Sequence, residues 1–177
     1  MQRLFTALSL PEKTAKQLTA LQLAGDGVQA VETAQLHITL HFIGQAEANE
    51  LADVLERVRA PAFSLQIEGP GKFNQANGAF ILWAGVQKSE GLMTLYQELA
   101  GVLSNRGYPN TSMDYIPHIT LARCKNGAPN TLADKFINRT LPPFEPFAVT
   151  EFGLYSSSLY KGKSIYRRER VFSLEFS

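Results

Sequence analysis

The stretch His37-Ile38-Thr39-Leu40 occurs a second time in the chain, unchanged, as His118-Ile119-Thr120-Leu121. The two copies contain two of the three histidines in the chain and begin 81 residues apart, at positions 37 and 118. Residues i and i+2 of a β-strand point to the same face. Each histidine therefore shares a face with its threonine, while the Ile and Leu point to the opposite, buried face. The repeat predicts two equivalent strands, each with one polar and one apolar face.

The sequence around the two copies predicts the same order of elements in each half: strand, helix, motif strand, helix, strand. In the first half, these elements cover residues 3–8, 10–24, 35–43, 51–58 and 63–67. In the second half, they cover residues 79–86, 90–106, 116–123, 132–137 and 148–154, followed by a closing strand over 165–175. This order predicts an internal duplication, with the motif strands at corresponding places.

The helix ends carry recognisable signals. Ser9 and Glu12 match a capping box, and Gly25 is placed to end that helix. Ser89 is placed to cap the long helix of the second half. Gly-Pro-Gly at 69–71 predicts a turn or a short crossover. We therefore expect an α+β fold with two pseudo-symmetric lobes of antiparallel sheet, helices on the outside, and a central groove that carries both motifs. Residues 1–177 are expected to form this single bilobal domain.

Composition narrows the class of protein. The 177 residues carry a net charge of +1, which argues against a broad nucleic-acid-coating surface but leaves room for a small basic groove. No apolar run reaches the roughly 20 residues of a membrane span, and residues 1–8 resemble a strand more than a signal peptide. Cys124 is the only cysteine, so a disulfide framework is excluded and a reducing cytoplasm is expected.

Two histidines facing one groove suit acid–base chemistry. An imidazole titrates near pH 6.5, so one ring can accept a proton from water while the other donates one to a leaving alkoxide. The hydroxyls of Thr39 and Thr120 can hydrogen-bond the oxygens of a phosphoryl group, where negative charge accumulates. This reaction needs neither metal nor cofactor. The residues alone do not decide which histidine is the acid.

The chain resembles the LigT-like group of the 2H phosphoesterase superfamily, the RNA 2′,3′-cyclic phosphodiesterases also called 2′-5′ RNA ligases. The matching segments are Arg3-Leu4-Phe5 with Ala7, Leu36–Leu40 with Phe42 and Gly44, Pro117–Leu121 with Arg123, and Leu154–Ser158 with Gly162 and Tyr166. The resemblance implies hydrolysis of a 2′,3′-cyclic phosphate to the 2′-phosphomonoester, with His37 as proton donor and His118 as proton acceptor. It also implies that RNA ends are the partner.

Other residues near the motifs allow less specific predictions. Arg123 matches the resemblance as a phosphate ligand, although five residues from His118 is the wrong face of a regular strand unless a β-bulge intervenes. His41 shares the face of His37 if its strand is regular, but it lies too far along for both rings to bind one metal ion. Phe5 and Tyr166 are candidates for stacking on a base. Trp83 and Cys124 are interpreted as core residues.

Three functions remain open at this stage. The first is the cyclic phosphodiesterase. The second is another activity of the superfamily, such as 2′-5′ RNA ligation or cleavage of a different phosphodiester. The third is a non-catalytic protein that binds RNA ends, which would not need two titrating histidines. A Walker-type phosphate loop is absent, so ATP dependence is not expected. A monomer is expected, because one chain supplies both motifs.

Overall fold

The computed structural model describes residues 1–109 and 114–175. Within them the chain forms ten strands: β1 Gln2–Ser9, β2 Val28–Ala30, β3 His37–Ala46, β4 Phe63–Leu65, β5 Ile67–Asn74, β6 Phe80–Val86, β7 His118–Cys124, β8 Phe147–Val149, β9 Glu151–Tyr160 and β10 Lys163–Ser173. The four α-helices are α1 Glu12–Thr19, α2 Ala48–Leu55, α3 Glu90–Ser104 and α4 Asn130–Ile137. A short 3-10 turn, Thr33–Gln35, precedes the first motif strand.

The main sheet is antiparallel, with the strand order β10-β9-β1-β3-β7-β6-β5 and β2 added beside β7. The motif strands β3 and β7 are the central neighbours, and they pair only at Ile38 and Ile119. On either side of this contact the order is the same, because β1 and β6 flank the motif strands and β9 and β5 lie next. The strands therefore diverge from one point into two lobes that share a groove.

The last strand of each half completes the sheet of the other half. β5 follows the first motif in sequence but pairs with β6, and β9 follows the second motif but pairs with β1. The helices pack outside the sheet, with α2 against α3, α3 against β3 and α4 against β5. Ile38, Leu40, Ile119 and Leu121 are buried between sheet and helices, as their alternation predicts. The predicted α+β, bilobal fold is confirmed.

Several predicted boundaries are wrong. The first helix ends at Thr19, not near residue 24, and its N-cap is Pro11 with no side-chain capping bond. Ser9 cannot act as the cap because it is the last residue of β1, where it pairs with His37. By contrast, the Ser89 cap is confirmed, since its hydroxyl accepts a hydrogen bond from the Leu92 N–H at 3.2 Å.

Gly-Pro-Gly at 69–71 lies inside β5 and not in a turn. The register between β5 and β6 shifts between Ile67 and Pro70, so an irregular strand accommodates the proline. Gly71 lies directly over the indole of Trp83, close enough that a side chain there would overlap the ring. The predicted strand over 148–154 is also interrupted, with β8 ending at Val149 and β9 running on to Tyr160.

Candidate active site

His37 and His118 begin the two central strands, so they lie on either side of the single contact between β3 and β7. Both side chains are half-buried, while the Ile that follows each one is fully buried on the other face. The backbone therefore presents the two imidazoles to the same side of the sheet. A groove of about 500 Å³ on that side is lined by His37, Thr39, His118, Thr120, Arg123 and Tyr166, among others.

The same local hydrogen bond holds both rings. His37 Nδ1 lies 2.8 Å from the Gln35 carbonyl oxygen, and His118 Nδ1 lies 2.7 Å from that of Ile116. A carbonyl only accepts, so Nδ1 carries the proton in both rings. Nε2 is then the atom that takes up or releases a proton, and in His37 it lies 3.1 Å from the Thr39 hydroxyl oxygen. The site offers two equivalent proton-transfer atoms.

A β-bulge follows each motif at the same place. Thr39 and His41 oppose consecutive residues of β1, so Leu40 has no opposite residue, and Leu121 is skipped in the same way between Thr120 and Ala122. Each bulge reverses the alternation of the following residues. The bulge in β7 turns the Arg123 side chain to the groove face, although a regular strand would place it on the opposite face from His118.

The bulge in β3 has the opposite consequence for His41. Its side chain turns to the buried face, where it is only 5% exposed, so the expectation that it shares a face with His37 is wrong. The ring stacks on Tyr96 at 4.2 Å, and Nε2 hydrogen-bonds the Tyr96 carbonyl oxygen at 2.9 Å. His41 is a packing residue between β3 and α3.

Phe5 and Tyr166 both contact His37, but they differ in exposure. The Phe5 ring is 2% exposed, lies 5.3 Å from the His37 ring and stacks on Tyr155 at 5.5 Å. No face of it is free for a base, so its predicted stacking role is wrong and it supports His37 from beneath. Tyr166 meets His37 edge-on at 4.9 Å, and its hydroxyl accepts a hydrogen bond from Arg123 Nη2 at 3.3 Å.

Several residues of the site were not found by sequence reasoning, among them Gln35, Phe42 and Phe73. The backbone carbonyl of Gln35 accepts a hydrogen bond from His37 Nδ1. The Gln35 side chain bonds the backbone of Tyr166 twice: it accepts from the N–H at 2.7 Å and donates to the carbonyl oxygen at 3.4 Å. Phe42 lines the groove with 77% of its surface exposed. Phe42 lies five residues after His37, just as Arg123 lies five residues after His118. This equivalence could have identified Phe42 from the sequence.

His118 has a different aromatic environment. Phe73 meets its ring edge-on at 4.9 Å, and Trp83 lies 5.8 Å away. Trp83 is half-buried on the groove side of β6, so the interpretation of it as a simple core residue is wrong. Cys124, in contrast, is buried in the core with a free thiol, and its burial raises the pKa of that thiol.

Burial lowers the pKa of both catalytic candidates. For His37 burial is the main cause, and the positive charge of Arg123 and the neighbouring His118 lower the pKa further, while the Gln35 carbonyl opposes them. For His118 burial and Arg123 lower the pKa, and the Ile116 carbonyl raises it. Both rings are therefore neutral at neutral pH until an anion enters the groove and favours their protonated forms.

Within residues 1–109 and 114–175, no three His, Cys, Asp or Glu side chains cluster closely enough to hold a metal ion. None of the helices described is both long and apolar enough to cross a membrane.

Two His-x-Thr strands that meet at one groove are the defining arrangement of a 2H phosphoesterase. The family model of the 2′-5′ RNA ligase superfamily matches residues 10–160. The RNA 2′,3′-cyclic phosphodiesterase of Thermotoga maritima is 32% identical over 174 residues, covering 93% of this chain and 91% of the relative. That of Escherichia coli is 31% identical over 175 residues, covering 93% and 92%.

Solved structures agree with the sequence relatives. The crystal structure of E. coli LigT complexed with 3′-AMP superposes with a TM-score of 0.77 at 28% identity over 98% of each chain. A further crystal structure, described as a phosphoesterase, has a TM-score of 0.78 at 29% identity, covering 98% of this chain and 99% of that one. The chain belongs to the 2′-5′ RNA ligase superfamily, and its resemblance to LigT-like 2H phosphoesterases is confirmed.

Proposed function

We propose that this protein hydrolyses RNA 2′,3′-cyclic phosphate ends to 2′-phosphomonoesters, with His37 as proton donor and His118 as proton acceptor. One observation carries the proposal: both imidazoles are fixed through Nδ1 by the carbonyl two residues before them, which leaves Nε2 of each for proton transfer. A protein that only binds RNA ends has no need of two such atoms. The relatives named RNA 2′,3′-cyclic phosphodiesterases support the same reaction.

The reaction is a displacement at phosphorus with one proton moved at each end. His118 Nε2 takes a proton from water as the water oxygen bonds to phosphorus. The bond from phosphorus to O3′ breaks, and O3′ receives the proton of His37 Nε2, so that the phosphate remains on O2′. Each transfer contributes about 10²–10⁴-fold to the rate. The two rings exchange protonation states, and solvent restores them.

The charge of the transition state is met by groups that are already in place. Thr39 and Thr120 lie on the same strand faces as their histidines and offer hydroxyls to the non-bridging oxygens. Arg123 reaches the same groove and adds a permanent positive charge. Because the donors sit in a half-buried groove, they need little rearrangement as negative charge develops. No step requires a metal ion or cofactor.

Phe42 provides an exposed aromatic surface at the first-lobe end of the groove. A base attached to the ribose of the cyclic phosphate can stack on this ring, and stacking tolerates all four bases. Phe42 therefore replaces the buried Phe5 as the residue proposed to stack on the base. Tyr166, which is hydrogen-bonded to Arg123, lies beside the proposed position of the reacting phosphate.

The second activity of the superfamily uses the same groups. If the 5′-hydroxyl of another RNA replaces water, the same two histidines join the strands through a 2′-5′ bond. The superfamily description favours this ligation as a second candidate function.

The symmetric strand order further supports residues 1–177 as one domain that arose by duplication. We also infer a monomer, since one chain supplies both motifs, and a cytoplasmic location, since Cys124 is the only cysteine and the chain has no disulfide framework.

The test is hydrolysis of a nucleoside 2′,3′-cyclic phosphate in the presence of a strong chelator, with the product isomer identified by ³¹P NMR. We expect only the 2′-phosphate, and a loss of about a hundredfold or more in His37→Ala and in His118→Ala. His41→Gln is the matched control, because it alters the third histidine outside the groove and keeps a donor toward Tyr96. Formation of the 3′-phosphate, or full activity in either alanine variant, contradicts the proposal.

A further inference from the structure

A second concavity, here called the side cleft, opens from the catalytic groove. It has a volume of about 120 Å³ and lies between residues 29–32 with Gln35 on one wall and residues 162–166 on the other. Arg123, Ser164 and Tyr166 line both the groove and the side cleft. Since the Tyr166 ring contacts His37 at 4.9 Å, the side cleft begins directly beside the reacting phosphate.

One wall of the side cleft is the open edge of the sheet. β10 is the edge strand, and the N–H and oxygen of Tyr166 point away from β9 to the side chain of Gln35. Backbone groups two residues apart in an antiparallel strand point the same way. The N–H and C=O of Ser164 therefore face the side cleft as well. The exposed backbone of Ser164 therefore offers one hydrogen-bond donor and one acceptor, which can pair with the polar atoms of a nucleic-acid base.

The β9–β10 hairpin that forms this wall is strongly basic. Residues 151–173 contain five cations and two acids, Glu151 and Glu169, which lie 3.8 and 3.9 Å from Arg168 and Arg167. The charge available to a ligand is therefore that of Lys161 and Lys163 at the tip. Lys163 and Arg123 both border the side cleft, where Glu32 is the single acidic side chain. The net charge of the whole chain is only +1, so this local excess is a specific feature of the hairpin. It complements a phosphodiester backbone.

The tip of the same hairpin also exposes apolar side chains. Leu159 is 78% exposed on the face that also carries Ser164. Tyr160, which is 62% exposed, and Ile165 project from the opposite face with Lys163. Lys161 Nζ lies 5.4 Å from the centre of the Tyr160 ring. The turn is tight, with positive φ at Lys161 and Gly162, so these side chains project from a fixed backbone. Exposed aromatics among cations are the usual elements of a single-stranded nucleic-acid site.

We propose that the side cleft and the hairpin tip bind the nucleotide that precedes the cyclic phosphate, with its phosphodiester at Lys163 and its base along Ser164. The inference rests on the proposed function and predicts that RNA ends of two or more nucleotides are preferred over a mononucleoside cyclic phosphate. A mononucleoside cyclic phosphate occupies the catalytic groove alone, whereas a longer strand continues past Tyr166 into the side cleft.

The experiment compares a mononucleoside 2′,3′-cyclic phosphate with a dinucleotide that ends in the same group. We expect a higher kcat/KM for the dinucleotide. The slope of log kcat/KM against log salt should be steeper for it by about 0.7, the value for one further phosphate contact on a single strand. Lys163→Ala should lower kcat/KM about fivefold for the dinucleotide only and remove the extra slope. Lys163→Arg should restore both.

Lys13→Ala is the matched control, since it removes another exposed lysine, in α1, outside the groove and side cleft. Equal kcat/KM and equal salt slopes for the two substrates overturn the side-cleft proposal, as does a Lys163→Ala effect of the same size on both. Binding of the matching 2′-phosphorylated mono- and dinucleotides, measured by calorimetry, separates the two proposals if neither substrate turns over. In that case the proposed hydrolysis fails, while tighter binding of the dinucleotide that depends on Lys163 still supports the side cleft.

Discussion

The two motif regions share their backbone plan and differ in what surrounds it. Each places a histidine at the start of a central strand, fixes its Nδ1 on the carbonyl two residues before, and bulges at the following leucine. Their surroundings differ, because Gln35 connects His37 to Tyr166, whereas His118 packs against the rings of Phe73 and Trp83. The shared plan leaves Nε2 of each ring for proton transfer, and under the proposed mechanism the different surroundings would assign the two histidines separate roles.

The largest expected effect separates the acid from the base. A p-nitrophenyl phosphodiester releases an anion that needs no proton, so loss of the acid should matter little for it. We expect His37→Ala to hydrolyse this diester within a few-fold of wild type while losing about 10²–10⁴-fold on a cyclic phosphate. His118→Ala should lose activity on both substrates. The reverse pattern would show that His118 is the donor.

The next effect compares the equivalent positions 42 and 123. Arg123 carries charge into the groove, so Arg123→Ala should lower kcat about a hundredfold, with partial recovery in Arg123→Lys. Phe42 offers an exposed ring, so Phe42→Ala should raise KM about fivefold and leave kcat unchanged, with recovery in Phe42→Tyr. Steady-state kinetics on one cyclic phosphate measures both. A kcat defect in Phe42→Ala contradicts the division of tasks.

A smaller effect is expected from the residues that hold the two rings. Gln35→Ala keeps the backbone carbonyl that accepts from His37 but removes both side-chain bonds to Tyr166. We expect kcat to fall about tenfold, since small displacements of a reacting group are costly. Ile116→Ala is the matched substitution before His118 and should stay within about twofold. Equal losses in the two variants contradict the role assigned to Gln35.

The smallest effect is a shift in the pH profile. Burial lowers the pKa of both histidines below 6.5. With His118 as the proposed base and His37 as the proposed acid, activity should rise with pH as His118 loses its proton and fall as His37 loses its own. Both limbs of the bell-shaped profile of kcat/KM in the free enzyme should therefore lie below pH 6.5, placing the optimum on the acid side of neutrality. A falling limb above pH 7 disagrees with the burial of His37.

The sequence predicted those features that depend on short-range patterns. Alternation placed Ile38 and Leu40 in the core, and the repeated tetrapeptide placed two histidines in equivalent strands. Both are consequences of a period of two. The fold class and the central groove follow from this repeat, and the Ser89 cap from a local hydrogen-bond rule.

Features that depend on pairing between distant strands were not predictable in the same way. The bulges at Leu40 and Leu121 arise from register with β1 and β6, and they decided the faces of His41 and Arg123. Phe5 is buried because β9 brings Tyr155 against it from about 150 residues away. A single sequence contains no local signal for such contacts, and the Gln35 side chain was missed for this reason, because its partner Tyr166 is 131 residues away. Phe42 could have been found from its position, which is equivalent to that of Arg123.

The exchange of last strands, β5 to the second lobe and β9 to the first, also bears on how such a site could originate. A half-length ancestor carrying one motif would have had its own sheet left incomplete. Two identical copies could have completed each other, and their dyad axis would have run between β3 and β7, where Ile38 meets Ile119 today. Both histidines would then have come from different molecules. Fusion of the two genes would have freed each copy to diverge, and the difference between Phe42 and Arg123, which hold equivalent positions, would be one result of that divergence.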